Sequence, residues 1–253
     1  PVNLVNFLQA LRNSGFQYAF YLRRQNLPPC FEANNERFSA ASLIKVPILL
    51  AWLALERQGE VSRAEWCNLD EEPQVQGAGF AWAMTTRRLT YHDVLLMMIT
   101  TSDNLCTNLV IRRLGIERLN QVLQTNLGLT NTVIQRKLMD FEARARGLDN
   151  WISPTDCIRL FDLIRGLPPN ERQWVDRILS LNQDDRLLKR NFNPDVVTFC
   201  HKTGSIPGVL HDWGYTPEAD VFLLMQGIQD ERAALDLFGW AGELALGSPM
   251  EQL

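Results

Sequence analysis

The sequence has no long hydrophobic run and no excess of basic residues, and each absence excludes a class of protein. The longest apolar stretch, Val46 to Leu55, is shorter than the roughly 20 residues that span a bilayer. A net charge of −4 and the lack of any Lys/Arg cluster argue against a nucleic-acid partner. Hydrophobic residues make up 46% and charged residues 21% of the 253, so we expect a globular protein with one large domain or two interleaved lobes.

Cysteine and histidine are few, and neither follows the spacing of a metal site. The five cysteines include no C-x-x-C pair, so we interpret them mainly as small buried hydrophobic residues, with a single disulfide left open if the chain is exported. The three histidines have no partner at ligand spacing, so we predict no metal and no cofactor. These residues are Cys30, Cys67, Cys106, Cys157, Cys200, His92, His201 and His211.

Strands are predicted only near the two ends of the chain. The N-terminal part predicts a helix over 2–14 and an aromatic-rich strand over 17–23. The last third predicts a terminal helix over about 231–245 and three strands, at 195–201, 208–214 and 220–228, with turns marked by Gly204, Gly208 and Pro217.

The middle of the chain predicts helices and contains no convincing strand. A charged, weakly periodic segment over 135–150 is typical of a loop. The predicted helices cover 40–59, 90–99, 106–114, 117–127 and a segment opened by Ser153-Pro154. The simplest assembly is an α+β fold in one domain over 1–253, with a sheet-containing lobe of residues 1–38 and 190–253 and an inserted helical lobe of residues 39–189.

Ser42 and Lys45 lie three residues apart at the start of a predicted helix, and this spacing brings both side chains to one face. A serine hydroxyl becomes a strong nucleophile when a base removes its proton, and a desolvated lysine can be that base. The simpler alternative is a helix cap followed by a surface lysine. Lys45 stands inside the apolar run Leu43 to Leu50, however, and a lysine in such surroundings must be paired or perturbed.

Two further tripeptides offer chemistry, although each also has a purely structural interpretation. Ser102-Asp103-Asn104 offers a hydroxyl that can relay a proton and an amide that can hold a carbonyl, or it is a capping turn. Lys202-Thr203-Gly204 offers a positive charge and a hydroxyl for a substrate carboxylate, or it is an ordinary junction between a strand and a turn.

Together, Ser42-Leu43-Ile44-Lys45, Ser102-Asp103-Asn104 and Lys202-Thr203-Gly204 follow each other at separations of 60 and 100 residues. The chain thereby resembles the class A β-lactamases and penicillin-binding proteins, whose signature set this is. The resemblance implies their fold, a five-stranded antiparallel sheet flanked by helices plus an all-helical lobe, with the active site in the cleft between them.

The resemblance also implies a role for each residue of the three motifs. Ser42 is the expected acylated nucleophile and Lys45 its activating partner, while Ser102 relays protons toward the leaving nitrogen. Asn104, Lys202, Thr203 and Gly204 are expected to hold the substrate. The backbone N–H groups of Ser42 and Ser205 are expected to bind the oxyanion.

Two features depart from the class A pattern. The glutamate that orients the hydrolytic water, followed after two residues by Leu-Asn, is missing from the segment 136–143, where Asp140 and Glu142 are the acids. We take Glu142 as the candidate. The alternative is that both acids are solvated loop charges or partners of Arg136, Arg144 and Arg146. The strand after the third motif lacks the arginine that many relatives place there, and it carries His211 and Asp212 instead.

Three functions remain open on this basis. The first is a serine hydrolase that forms and hydrolyses an acyl-enzyme with a β-lactam or a related amide. The second is a D,D-peptidase or penicillin-binding protein that deacylates slowly, and the third is a non-enzymatic β-lactam sensor.

We expect a small-molecule β-lactam or peptidoglycan-like substrate, a monomer, no nucleic acid and no membrane segment. The resemblance suggests a periplasmic or secreted protein, whereas the lack of a recognisable signal peptide leaves a cytoplasmic one as the alternative.

Overall fold

A computed structural model describes residues 3–193 and 197–247. Within these ranges the helices are α1 (Leu4–Asn13), α2 (Lys45–Arg57), α3 (Tyr91–Thr100), α4 (Asn104–Leu114), α5 (Ile116–Thr125), α6 (Phe141–Ala145), α7 (Pro154–Arg165), α8 (Pro169–Ser180) and α9 (Glu231–Leu246). The strands are β1 (Gln17–Arg24), β2 (Cys30–Ala33), β3 (Phe38–Ser39), β4 (Trp66–Asn68), β5 (Arg88–Thr90), β6 (Trp151–Ile152), β7 (Cys200–Ile206), β8 (Val209–Tyr215) and β9 (Ala219–Gln226). None of the helices in this described part is long and apolar enough to cross a membrane.

The main sheet has five antiparallel strands in the order β2-β1-β9-β8-β7, and both ends of the chain contribute to it. Strand β1 pairs with β9 along its whole length, from Gln17 opposite Gln226 to Arg24 opposite Ala219. This arrangement confirms the predicted fold class. Strand β7, which carries Lys202-Thr203-Gly204, pairs only with β8, so its other edge is open toward the rest of the molecule.

The sheet is covered on both faces. Helices α1 and α9 pack on one face, around Phe7, Phe20 and Phe238. On the other face lie the helices from the middle of the chain, where the ring of Phe161 in α7 stacks on Trp213 with 4.5 Å between centroids. Strands β8 and β9 are therefore buried on both sides, which explains the continuous apolar run over residues 221–225 in β9.

Helix α2 is the central helix of this second layer. Every residue from Lys45 to Leu55 is buried, so the helix has no solvent face over that length. A helix that is apolar all round is typical of a core position. Lys45 is the one charged residue within that buried length, and it stands at the N-terminus next to the open edge of β7.

The prediction of a strand at 195–201 is wrong in its boundaries. Strand β7 begins at Cys200 and continues to Ile206, while 197–199 have no strand partner and 195–196 lie outside the described residues. Val197 and Phe199 are instead buried in the core on the face of the sheet that α1 and α9 cover. Burial there requires the same apolar side chains as a buried strand does. Gly204 lies inside β7 opposite His211 and does not mark a turn; the turn follows at Pro207-Gly208.

The middle of the chain does contain strands, so the prediction of none there is also wrong. Strand β3 pairs with β6, and β4 pairs with β5, each over only two or three residues. Such lengths are too short for an alternating pattern to reveal. Strand β2 completes the five-stranded sheet, and only the family resemblance had implied it. The predicted loop over 135–150 contains the short helix α6.

All five cysteines are free thiols, and four of them are buried. This agrees with their interpretation as small hydrophobic residues. Cys30 is half-buried in strand β2.

Candidate active site

Ser42 lies in a single 3-10 turn, Ala41–Ile44, that leads directly into α2. Ala41 has a left-handed backbone conformation with φ 46°, which is costly for a residue with a Cβ and is common at functional sites. Lys45 begins the α-helix, and its Nζ lies 3.0 Å from Ser42 Oγ. The structure thus brings the two residues into the contact that their spacing predicted.

Ser102 and Asn104 approach the same lysine from the loop between α3 and α4. Lys45 Nζ donates to Ser102 O at 2.6 Å, to Ser102 Oγ at 3.0 Å and to Asn104 Oδ1 at 3.0 Å. Ser102 also has a left-handed backbone, with φ 55°. Two of the three motifs therefore meet at one ammonium group, although 57 residues separate Lys45 from Ser102 in the chain.

Lys202 brings the third motif to the same point. Its Nζ donates to Ser102 Oγ at 3.1 Å and to the carbonyl of Thr203 at 2.7 Å. The hydroxyl of Ser102 consequently lies between two lysines, both of which are completely buried. The sequence analysis expected the Lys202 ammonium to face a substrate carboxylate; the structure places it underneath the cleft, against Ser102.

The two lysines differ from exposed lysines in their proton affinity. Burial, together with the nearby positive charge of Lys202, lowers the pKa of Lys45 well below its ordinary value. Burial also lowers the pKa of Lys202, to about 8, although Asp184 and Asp212 oppose that shift. A neutral Lys45 amine can accept the proton of Ser42, which is what activation of this hydroxyl as a nucleophile requires.

Asp103 holds the loops around these residues together, and the sequence analysis did not single it out. Its Oδ1 accepts from Cys106 N at 2.9 Å and so caps α4, while its Oδ2 accepts from the backbone N–H groups of Phe80 and Ala81, both at 2.8 Å. The capping interpretation of the second motif is correct for this residue. The contacts to Phe80 and Ala81 join segments far apart in sequence, and no local pattern indicated them.

Gly204 allows β7 to lie directly against the Ser42 turn. A Cβ at this position would be 2.8 Å from Leu43 N, 3.0 Å from Ser42 N and 3.2 Å from Ala40 O. From the sequence, Gly204 was expected to make room for substrate. The structure gives a different reason, because the close neighbour is the protein's own backbone, and Gly204 does not line the cleft.

A cleft with a volume of about 570 Å³ opens above these groups. Ser42, Ser102, Asn104, Thr203 and Ser205 all line it, whereas Lys45 and Lys202 lie beneath its floor. Among the described residues, Asp184 is the only carboxylate in the lining. Arg186 holds that carboxylate with one edge of its guanidinium group, donating from Nε to Oδ1 at 2.8 Å and from Nη2 to Oδ2 at 3.1 Å.

Glu142, the sequence-based candidate for orienting a hydrolytic water, is exposed in α6 and does not line the cleft. The loop turns Leu138, Met139 and Phe141 toward the cavity instead. Leu138 is fixed by Asn108, which accepts from its N–H at 2.7 Å and donates to its carbonyl at 3.0 Å.

The same loop is closed by a buried ion pair. Arg136 Nη2 lies 2.7 Å from Asp149 Oδ1, and Ser39 Oγ donates to the other oxygen of Asp149 at 2.6 Å. The ion pair and the hydrogen bonds of Leu138 fix the loop at several points, so its conformation does not depend on α6 alone. From the sequence, the partners considered for Arg136 were Asp140 and Glu142; in the structure its partner is Asp149.

His211 and Asp212 take no part in the cleft. His211 is buried and donates from Nε2 to Ser39 O at 2.7 Å, and burial lowers its pKa to about 4. Asp212 is buried on the opposite side of β8, where its Oδ1 lies 3.0 Å from His201 Nδ1 and its Oδ2 accepts from Leu188 N at 3.0 Å. Neither residue can replace the arginine that many relatives carry, and Asp212 does not repel a ligand in the cleft.

Over residues 3–193 and 197–247, the structure contains no group of three or more His, Cys, Asp or Glu side chains that could hold a metal ion.

A sequence profile of the Beta-lactamase enzyme family matches residues 3–237. The chain belongs to this family. It is a serine β-lactamase-like hydrolase in architecture and in its motif set. A search of curated proteins gave no match.

Solved structures with the same fold include both β-lactamases and a PBP. A β-lactamase from Sphaerobacter thermophilus has a TM-score of 0.81 at 22% identity, over 96% of each chain. An ancestral class A β-lactamase (GNCA) has a TM-score of 0.82 at 22% identity, over 95% of this chain and 97% of that one. A leucine-to-glutamate mutant of PBP-A, described as an acyl-enzyme complex with penicillin G, has a TM-score of 0.81 at 27% identity, over 96% of each chain.

The close approach at Gly204 gives a first prediction for this family member. Gly204→Ala should displace the Ser42 turn or β7, lowering the free energy of unfolding by about 1–3 kcal/mol and slowing any reaction of Ser42. Thermal denaturation and reaction with nitrocefin would measure the two effects. Gly166→Ala is the matched control, because the nearest atom to a Cβ there is Asp162 O at 3.4 Å and φ is not left-handed. Wild-type stability and reactivity in Gly204→Ala would contradict the prediction.

Proposed function

We propose that β-lactams, and linear amides of similar shape, acylate Ser42 readily and that the resulting ester is hydrolysed slowly. This is the behaviour of a penicillin-binding protein or D,D-peptidase more than that of an efficient β-lactamase. The observation that carries the proposal is the cleft itself: a complete set of groups for acylation faces a loop that contributes Leu138 and no carboxylate.

Acylation can be assigned to particular atoms. Ser42 Oγ attacks the amide carbonyl as its proton passes to the neutral amine of Lys45, 3.0 Å away. The negative charge on the carbonyl oxygen is stabilised by the backbone N–H groups of Ser42 and Ser205. When the C–N bond breaks, the leaving nitrogen takes a proton from Ser102 Oγ, which recovers one from Lys45 at 3.0 Å.

The groups around Ser102 also suit a substrate with a carboxylate on the leaving side. Thr203 lines the cleft next to Ser102, and the ammonium of Lys202 lies directly behind both. A carboxylate at Thr203 would therefore be attracted by a buried positive charge, which water screens poorly.

Hydrolysis needs a base that activates water against the ester, a role that a carboxylate often fills, and among the described residues Asp184 is the only carboxylate that lines the cleft. Burial alone would raise the pKa of Asp184, but the hydrogen bonds from Arg186 and Thr203 lower it, which weakens this carboxylate as a base. Leu138 has no proton-accepting group. Glu142 stays a candidate only if α6 rearranges to bring it into the cleft.

Two further observations favour slow deacylation. A leucine-to-glutamate mutant of PBP-A, at 27% identity to this chain, is described as an acyl-enzyme complex with penicillin G, so an acyl-enzyme on this fold can persist long enough to be observed. The cleft loop of the present chain is also fixed by Arg136–Asp149 and Asn108, so a large rearrangement would break several buried contacts. Rapid β-lactam hydrolysis is the second candidate, supported by the family match.

The proposal predicts a long-lived covalent adduct on Ser42. Intact-mass spectrometry after mixing with benzylpenicillin should show one added penicilloyl group that persists for minutes or longer, and Ser42→Ala should show none. Glu142→Gln should leave the lifetime of the adduct within about twofold, because Glu142 does not reach the cleft. Rapid product release by the wild type, abolished in Glu142→Gln, would refute slow deacylation and restore Glu142 as the base.

Acylation should also depend on pH through the two lysines. The rate should rise with pH as Lys45 loses its proton, at a pH well below that of an ordinary lysine, because the neutral amine is the base. It should fall again near pH 8 for substrates with a carboxylate, because Lys202 then loses its charge. Rapid-mixing kinetics with nitrocefin would reveal both the rising and the falling limb of this pH–rate profile. An activated ester without a carboxylate is the control and should lack the alkaline limb; an alkaline limb of equal depth with that ester would contradict this assignment.

Leu138 provides a gain-of-function prediction. Leu138→Glu should increase the rate of adduct hydrolysis by roughly 100-fold or more, the lower end of the range for general-base catalysis, since residue 138 lines the cleft. Leu138→Gln is the matched control, because it has nearly the same shape but cannot act as a base. If both variants shortened the adduct lifetime equally, the effect would come from loosened packing and the absence of a carboxylate would not be the cause of slow turnover.

A further inference from the structure

The loop that closes one side of the cleft presents positive charge beside apolar surface. Arg136 and Arg144 both line the cleft, and they share the single carboxylate of Asp149. Arg136 is 6% exposed and holds Asp149 Oδ1 at 2.7 Å, whereas Arg144 is 34% exposed with its Nε 3.5 Å from Oδ2. Asp149 also accepts hydrogen bonds from Ser39 and from its neighbour's N–H, so its negative charge is already well solvated by other partners. The group of two arginines and one carboxylate thus has one positive charge in excess. Arg144 is more accessible to a ligand than Arg136.

The acids of the same loop do not cancel this charge inside the cleft. Asp140 caps α6 by accepting from Ala143 N at 2.9 Å, and neither it nor Glu142 lines the cavity. Glu142 is two positions before Arg144 on α6, and residues two apart do not face each other on a helix. On the opposite wall, Arg186 is neutralised by its two-point contact with Asp184. Arg144, which shares the carboxylate of Asp149 with Arg136, therefore supplies incompletely compensated positive charge on the loop side of the cleft.

The chemistry of acylation indicates which part of a substrate meets Arg144. The leaving nitrogen must lie at Ser102 and its carboxylate at Thr203, with the carbonyl oxygen at the N–H of Ser205. The substituent on the acyl carbon then points away from Ser102 and along β7 past Ser205, where Ile206 and Pro207 line the cleft. The loop residues Phe141 and Arg144 line the same cleft and offer this substituent an apolar and a charged contact.

We propose that Arg144 selects acyl donors whose acyl side chain combines an apolar body with a carboxylate. Phe141, 60% exposed at the same rim, contacts the apolar part, and the guanidinium of Arg144 pairs with the anion. The proposal rests on acylation of Ser42 and defines the substrate class of that same site. A side chain with an ammonium group at the corresponding position is disfavoured by like charge.

Three penicillins with the same nucleus and phenyl ring form a matched test. Benzylpenicillin has no charge on its side chain, carbenicillin has a carboxylate there and ampicillin an ammonium group. Second-order acylation rates, measured by competition with a fluorescent penicillin, give each donor's rate relative to benzylpenicillin. In Arg144→Gln, the relative rate of carbenicillin should fall by roughly three- to tenfold and that of ampicillin should rise, as expected for a partly exposed charge.

Two control variants separate this effect from a general change of charge or fold. Arg146→Gln removes the same charge from the same loop at an exposed position outside the cleft lining, and it should leave both relative rates unchanged. Arg144→Lys keeps the charge and should retain the preference for carbenicillin within about twofold. Raising the salt concentration should weaken the preference of the wild type and leave Arg144→Gln unaffected.

The outcomes distinguish failure of this inference from failure of the proposed function. Normal acylation by benzylpenicillin with unchanged relative rates in Arg144→Gln would overturn the role of Arg144 alone. Equal shifts in Arg144→Gln and Arg146→Gln would overturn it as well, since the effect would then be long-range. If none of the three penicillins acylated Ser42 in the wild type, the proposed function would fail and this inference with it.

Discussion

The site depends on two buried lysines that share one serine hydroxyl. Ser102 Oγ lies 3.0 Å from Lys45 Nζ and 3.1 Å from Lys202 Nζ, and both ammonium groups are removed from water. Two like charges at this separation in a poorly polarisable interior cannot both be retained without cost, so one of the lysines has to become a better proton donor. The central position of α2 makes this possible, because it places Lys45 at the deepest point of the cleft while Ser42, one turn earlier, still reaches the surface.

Much of the surrounding structure serves to hold these groups in place. Ala41 and Ser102 have left-handed backbones, each of which costs on the order of 1–3 kcal/mol, and they persist because neighbouring contacts determine their positions. For Ala41 the neighbour is β7, which can approach the Ser42 turn only because Gly204 has no side chain. The conformation of Ser102 is held by the next residue, Asp103, whose carboxylate joins α4 to Phe80 and Ala81. The reactive geometry is thus a property of the assembled core and not of any one motif.

The sequence was most informative where chemistry needs rare combinations of residues at fixed spacing. Ser42, Lys45, Ser102 and Lys202 could be named in advance because a lysine in an apolar run and three ordered motifs seldom coincide, and the fold class followed from the resemblance. The place of Leu138 could not be read in the same way, because it is set by Asn108 and by the pair Arg136–Asp149, which no local pattern connects. The start of β7 was misplaced for a related reason. Val197 and Phe199 are buried without a strand partner, and buried apolar residues outside a strand give the same sequence pattern as those within one.

The two halves of the proposed reaction therefore differ in how freely they can change. The acylation groups are embedded in the core between the sheet and the helices of the middle of the chain, and in the edge strand β7. Altering them therefore disturbs packing as well as chemistry. The residues to which we assign hydrolysis and acyl-group preference in this proposal, Leu138 and Arg144, lie on a loop whose ends are fixed by one buried ion pair. A side chain can be exchanged there while the ion pair keeps the loop closed. In the proposed reaction, the same scaffold would therefore give a trapped acyl-enzyme or rapid turnover according to whether the side chain at position 138 can accept a proton.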